Sequence, residues 1–350
     1  MDLVKDLPYE TEFVTLFIDI DSIIKKFYNP KFVDTFKAFN TYEKLIFSSE
    51  IINIAAHYRH FFWSRFGIPC DIYMLYNDKS CDLVRQYNSD FNDRKYNDDN
   101  HFKHSHFKIL YNSFQKNFEL ITMLKDYLPS IYFINGMGLA ETFMLPQLIL
   151  NRPEIAKNNL NLIITSDGLM NQYINTSETC ILRLNYDGSY IINEKNLMGE
   201  VSKDVNTDLT PFYINHYYAL AGLKNSSIHN VNKLGPKKTL SFLYNVSKLG
   251  NFTFDSKISL KKFISIIREN ELLSEDDISL FKSNYKSINA KKLCTNISNN
   301  DTFSILSQMG NKLDNDSLMR INESYYENNP IQLIELCEGV DFNGSRSFQF

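Results

Sequence analysis

Residues 217–243 read YYALAGLKNSSIHNVNKLGPKKTLSFL, and the fold turns on this stretch. It opens as the apolar end of a helix (Tyr218, Leu220) closed by Gly222, a residue suited to the backbone conformation in which helices end. A polar linker follows, then Leu234-Gly235-Pro236. Pro236 fits the first turn of a second helix, where its missing N–H would lack a partner in any case. Leu240, Phe242 and Leu243 supply that helix's apolar positions. The segment therefore predicts a helix, a short glycine-bearing turn and a second helix. Lys237 and Lys238 stand beside the N–H groups exposed at the second helix's start, where the helix-end partial charge suits a phosphate.

Four apolar runs precede it. Residues 13–20 (FVTLFIDI) read as a buried parallel strand, with Asp19 at the C-terminal end, where open α/β sheets bind ligands. Asp21 or Ser22 can cap the helix that follows, and Asp21 is the expected cap. A helical pattern continues to about residue 66, broken at Asn29-Pro30. Residues 70–76 (CDIYMLY) predict a second strand with Asp78 just past its end. Residues 130–135 (SIYFIN) predict a third, then a turn at Gly136-Met137-Gly138 and a helix opened by Glu141. Residues 160–165 (LNLIIT) predict a fourth, followed by Ser166-Asp167-Gly168 and a short helix through Gln172. Residues 179–194 alternate around Asp187-Gly188, a strong hairpin signal, and 208–222 predict an amphipathic helix. Weaker helical patterns follow at 260–270, 278–281 and 303–309. The fold class is α/β: a mostly parallel sheet with helices on both faces, plus a helical lobe carrying the opening motif.

The chain is 43% hydrophobic and 14% aromatic, a globular composition rather than a disordered one. Its excess of Asn, Ile, Lys, Tyr and Phe suits a very AT-rich genome, such as many phages have. Five cysteines lie far apart with no C-x-x-C pair, which argues against a zinc ribbon or disulfide framework and fits a reducing, cytoplasmic setting. The first residues are too acidic for a signal peptide, and no apolar run approaches a membrane span. His101, His104 and His106 fit no standard metal spacing and read as a solvated loop. A net charge of −4 excludes a uniformly basic nucleic-acid binder. Locally the balance reverses: from Lys224 to Lys262 eight lysines face one acid, Asp255.

In order and spacing these motifs resemble the flap endonuclease and 5′–3′ exonuclease superfamily. That family's helix–turn–helix typically reads A-L-x-G-D-x-S-D-N-I-x-G-V-x-G-I-G-x-K-T-A. This chain keeps Ala219, Ala221, Gly222, Ile228, Val231, Leu234, Gly235, Lys238 and Thr239, while Leu223 and Ser226 replace two metal-binding aspartates. Asp19 matches the first family motif, Asp78 the acid after the second strand, Glu141 the acid opening the next helix, and Asp167 the S-x-D-x-D-x-x-Q element. Leu169 and Asn171 fill nearby positions where further acids are expected. Arg85 and Arg94 stand for the family's basic arch residues, in a shortened version of that element.

The resemblance implies a PIN-like α/β nuclease-type domain over residues 1–215, with an arch over 82–125, and a helical lobe over 216–350. It implies Asp19, Asp78, Glu141 and Asp167 as ligands of one Mg²⁺ or Mn²⁺. It implies Lys224, Lys233, Gly235, Lys237, Lys238 and Thr239 as a sequence-independent DNA contact. Two-metal phosphodiester hydrolysis needs two carboxylate-held ions about 4 Å apart, and leucine cannot coordinate a cation. The expected protein is a phage or viral DNA-binding relative with impaired or lost nuclease activity, acting on branched or 5′-ended DNA beside replication proteins. The alternatives are an active Mg²⁺-dependent 5′-nuclease and a protein-interaction module on the same fold.

Overall fold

A computed structural model of the chain describes residues 13–27, 55, 58–59, 62, 67–77, 131–152, 159–174, 178–185, 188–204, 206–223 and 228–309. The expected arch with Arg85 and Arg94, the acid Asp78, the three histidines, Lys224, Ser226 and the C-terminal tail lie outside them.

Among the described residues, six strands form one sheet: β1 (Phe13–Asp19), β2 (Cys70–Tyr76), β3 (Ile131–Asn135), β4 (Asn159–Thr165), β5 (Thr179–Asn185) and β6 (Gly188–Ile192), in the order β3-β2-β1-β4-β5-β6. The first five pair in parallel and β6 pairs antiparallel with β5. Every residue of β1 and β2 is buried, as a sheet covered on both faces requires, which is why these strands read as unbroken apolar runs. The hairpin signal falls where Asn185 pairs with Gly188. Phe17, Tyr73 and Tyr132 stack side by side across β1, β2 and β3, with ring centroids 5.5 and 5.1 Å apart.

The strand order reverses at β1: β2 and β3 lie to one side, β4 and β5 to the other. In an open α/β sheet the crevice at the carboxyl ends of such strands is the usual ligand position. Asp19 ends β1, and Asp167 follows β4 by two residues.

Helix α1 (Ile20–Phe27) leaves β1 directly. Its cap is Asp19, whose Oδ1 accepts from the Ser22 N–H at 3.3 Å, so Asp21 falls inside the first turn instead. The segment opened by Glu141 divides into a 3₁₀ turn (Thr142–Met144) and α2 (Leu145–Leu150). Another 3₁₀ turn (Gly168–Tyr173) follows Asp167, and α3 (Leu197–Ser202) follows the hairpin. The helix expected from residue 208 begins later, as α4 (Ile214–Ala221) behind a 3₁₀ turn over Pro211–Tyr213. Pro211 is the reason, since a residue before proline is driven to extended backbone, and Thr210 has φ −82° and ψ 159°.

Among the described residues, five more helices follow: α5 (Pro236–Leu249), α6 (Leu260–Glu269), α7 (Glu275–Ile288), α8 (Ala290–Cys294) and α9 (Asn299–Leu306). Ser259, Ser274, Asn289 and Ser298 cap α6 to α9 with their side chains. One continuous apolar cluster joins the sheet face of Phe17, Tyr73 and Ile163 to α4, Leu243 of α5, Phe263 of α6 and Phe281 of α7. Among the described residues, no helix is long and apolar enough to cross a membrane.

Candidate functional site

The site at the sheet's carboxyl edge is built around Asp19. Its Oδ2 accepts from Thr165 Oγ1 at 2.7 Å and from the Ser22 hydroxyl, while Oδ1 takes the Ser22 N–H. Ser22 Oγ in turn accepts from Ser166 N at 2.8 Å and from Ser166 Oγ at 2.9 Å. Thr165 Oγ1 accepts from Asp167 N at 2.9 Å, and Asp167 Oδ1 accepts from Leu169 N at 2.9 Å, capping the 3₁₀ turn. A chain of hydrogen bonds thus ties the end of β1 to the turn after β4. Asp19 is buried and Asp167 half-buried.

Glu141 is buried on the other side of β1, after β3. Its Oε2 accepts from Asn77 Nδ2 at 3.5 Å, and Asn77 Oδ1 takes Gly138 N at 3.1 Å. Gly136 is required in this turn, because a Cβ there would meet the Ala140 carbonyl at 2.1 Å. The structure therefore brings Asp19 and Asp167 together through Thr165. Among the described residues, no three acidic, histidine or cysteine side chains form a group able to hold a metal ion.

Leu169 and Leu223, at positions where the resemblance expects acids, pack into or against the apolar core. Leu223 Cδ2 would lie 3.6 Å from a Cβ placed on Gly168. Among the described residues, these two hydrocarbon side chains do not fit a second divalent ion, and Asp19 and Asp167 serve the chain's own N–H and O–H groups.

A polar cluster that the motif reading missed lies beside them. Asn171 is buried, donates to Tyr218 OH at 2.6 Å and accepts from the Arg183 guanidinium. Burial pushes the Tyr218 phenol up to about 12. The sequence signal was parity: Arg183 lies two residues after Ile181, a core residue, and so points to the same sheet face.

The second candidate region is the α4–α5 junction. Gly222 ends α4 with φ +73°, and a Cβ there would sit 2.7 Å from the Ile228 carbonyl oxygen and 2.8 Å from Asn230 N. Leu223 N then donates to Ile228 O at 3.0 Å, so the chain doubles back on itself. Asn284 of α7 pins the junction by donating to Ala219 O at 2.9 Å and His229 O at 2.8 Å. Asn232 and Lys233 take left-handed backbone, at φ 46° and 55°. Gly235 caps α5 without a side-chain hydrogen bond, and Pro236 is its first residue. Lys233, Lys237 and Lys238 are exposed. Thr239 is buried and returns its N–H to Gly235 O at 2.9 Å and its hydroxyl to Leu234 O at 3.4 Å, so it shapes the turn. Lys257 lies elsewhere, 4.5 Å above the Phe212 ring.

The parallel sheet with its reversal at β1, joined to a helical lobe through this junction, defines a flap-endonuclease-like fold. Solved structures of the flap endonuclease of bacteriophage T5 share this fold. A structure of that protein described as a pseudo-enzyme–product complex with DNA and metal ions aligns with a TM-score of 0.50 and 12% identity, covering 92% of this chain and 99% of that one. Another, co-crystallised with metal ions, aligns with a TM-score of 0.51 and 12% identity over 89% and 98% of the two chains. No family model matches the sequence, and no curated protein matches it either.

Proposed function

We propose that this protein binds branched or 5′-ended DNA as a flap-endonuclease-like protein whose nuclease activity is impaired or lost. The observation that carries the reading is the state of the carboxyl-edge site. Asp19 holds three hydrogen bonds from Ser22 and Thr165, Asp167 caps its own turn, and leucines occupy two positions where further acids are expected. Such a site keeps at most one weakly held Mg²⁺ or Mn²⁺ on Asp19, Asp78, Glu141 and Asp167, and one ion does not supply the paired clamp of the two-metal route.

The binding half rests on the α4–α5 junction. The N–H groups of Lys237 and Lys238 open α5 with no capping side chain, and both ammonium groups reach solvent beside them. Contacts of this kind hold phosphates irrespective of base sequence. The T5 protein was crystallised with DNA, and this chain shares its fold. A division near residue 215 into a nuclease-type part and a helical lobe, an arch with Arg85 and Arg94, a phage or viral source and replication proteins as partners belong to the same proposal.

The test uses one labelled 5′-flap duplex twice. Anisotropy in chelator should show binding, and the same mixture given Mg²⁺ or Mn²⁺ should show little or no cleavage. Robust metal-dependent cleavage establishes the active 5′-nuclease instead, and no binding at all favours a protein-interaction module.

A further inference from the structure

Arg183 is 7% exposed, on the same face of β5 as the core residue Ile181. In the sheet register Thr165 pairs with Arg183, and Thr165 reaches Asp19 on its other side at 2.7 Å. Asp19, Thr165 and Arg183 therefore form one row across the carboxyl ends of β1, β4 and β5, on the face that carries Phe17, Ile163 and Ile181. The guanidinium donates to the Asn171 side-chain oxygen, whose amide is held from behind by Tyr218 OH at 2.6 Å. Asn171 is itself buried, so the fork is fixed in place. Among the described residues the guanidinium's hydrogen-bond partner, Asn171, is neutral. Asp167 acts on the Tyr218 phenol from nearby, and no ion pair between it and Arg183 is found among the described residues.

A guanidinium this deeply buried ordinarily has a carboxylate or an anionic ligand. Its planar fork matches phosphate oxygens, and a fixed cation in a site of low dielectric holds them more strongly than a surface lysine does. The position also matters: the arginine bonds the residue at one of the places where the resemblance expects a metal-binding acid. A cation on the protein itself thus lies where the acids for a bound cation are missing.

We propose that Arg183, oriented by Asn171, is a phosphate-binding group at the sheet's carboxyl edge that receives the 5′-terminal phosphate of a nucleic acid strand. This rests on the reading of the chain as a DNA-binding protein and adds the group that would seat the strand's end.

Two variants separate this role from a structural one. Arg183→Met removes the charge. Asn171→Asp keeps the shape but gives the guanidinium a carboxylate partner, closing it to phosphate. Tyr218 OH can donate to that carboxylate, so the fold should survive even where Arg183→Met fails to fold. The first assay is thermal melting in inorganic phosphate against chloride at matched ionic strength. Phosphate should raise the parent's melting temperature and leave both variants unmoved. The second compares duplexes with a 5′-phosphorylated and a 5′-hydroxyl single-stranded end. The parent should prefer the phosphorylated end about tenfold or more, and both variants should bind the two ends alike, with the parent's affinity for the hydroxyl end. A parent without that preference, or an Asn171→Asp protein that keeps it, overturns the proposal. Should the parent bind no DNA at all, the underlying reading fails, while the phosphate melt still decides the role of Arg183.

Discussion

Replacing Lys237 and Lys238 together by alanine gives a prediction whose size can be worked out. Both side chains are exposed on the first turn of α5, and the buried contacts of that helix come from Thr239, Leu240, Leu243 and Val246. The double variant should therefore melt like the parent. Each phosphate contact contributes about 0.9 to the slope of log affinity against log salt. Two lost contacts flatten that slope by about 1.8, so a fourfold rise in salt costs the parent about twelvefold more affinity than the variant. The weakening should be the same on unrelated duplex sequences, since phosphates carry no base identity. Fluorescence anisotropy at four or five salt concentrations measures it. A variant with the parent's slope and affinity refutes the assignment and leaves the junction a purely structural device.

Three further outcomes follow from the packing. Gly222→Ala must force a Cβ to 2.7 Å from the Ile228 carbonyl oxygen at a positive φ; denaturant unfolding should show a loss of about 2 kcal/mol or more, and an unchanged midpoint would mean that the turn relaxes freely. Leu169→Asp, which returns an acid expected of the family, should cost about 3 kcal/mol or more by placing a carboxylate in the core, so restoring ligands one at a time should unfold the protein before it restores activity. His216 is buried among Tyr213, Phe263 and Tyr285, and burial lowers its pKa from 6.5 to about 4. The unfolded chain takes up that proton first, so stability should be full above about pH 6.5 and fall by about 3 kcal/mol as pH drops to 4. His216→Phe should flatten that dependence, and an identical pH profile would assign it to other groups.

The sequence made the sheet legible because buried parallel strands must be apolar on both faces. Residues 70–76 and 160–165 showed themselves by composition alone, and Gly222 and Pro236 marked the helix ends by backbone chemistry. The role of Asp19 was half legible. Its place at a strand end was visible, but whether its oxygens would face an ion or the Ser22 and Thr165 hydroxyls depends on a contact between residues 146 apart in sequence. The same holds for Arg183 and Asn171, whose pairing joins β5 to the preceding turn. Pro211 was visible and was outweighed by the apolar periodicity around it, which placed the start of α4 too early.

On the proposed function, Asp19, Glu141 and Asp167 are bound by the chain's own donors and do not assemble a pair of metal sites. Calorimetric titration of the unmodified chain with Mn²⁺, repeated with Mg²⁺, decides between this and a two-metal site. One weak site or none is the predicted result, and Asp167→Ala should abolish any weak heat that appears. Two tight sites per chain would contradict the claim and restore the two-metal nuclease.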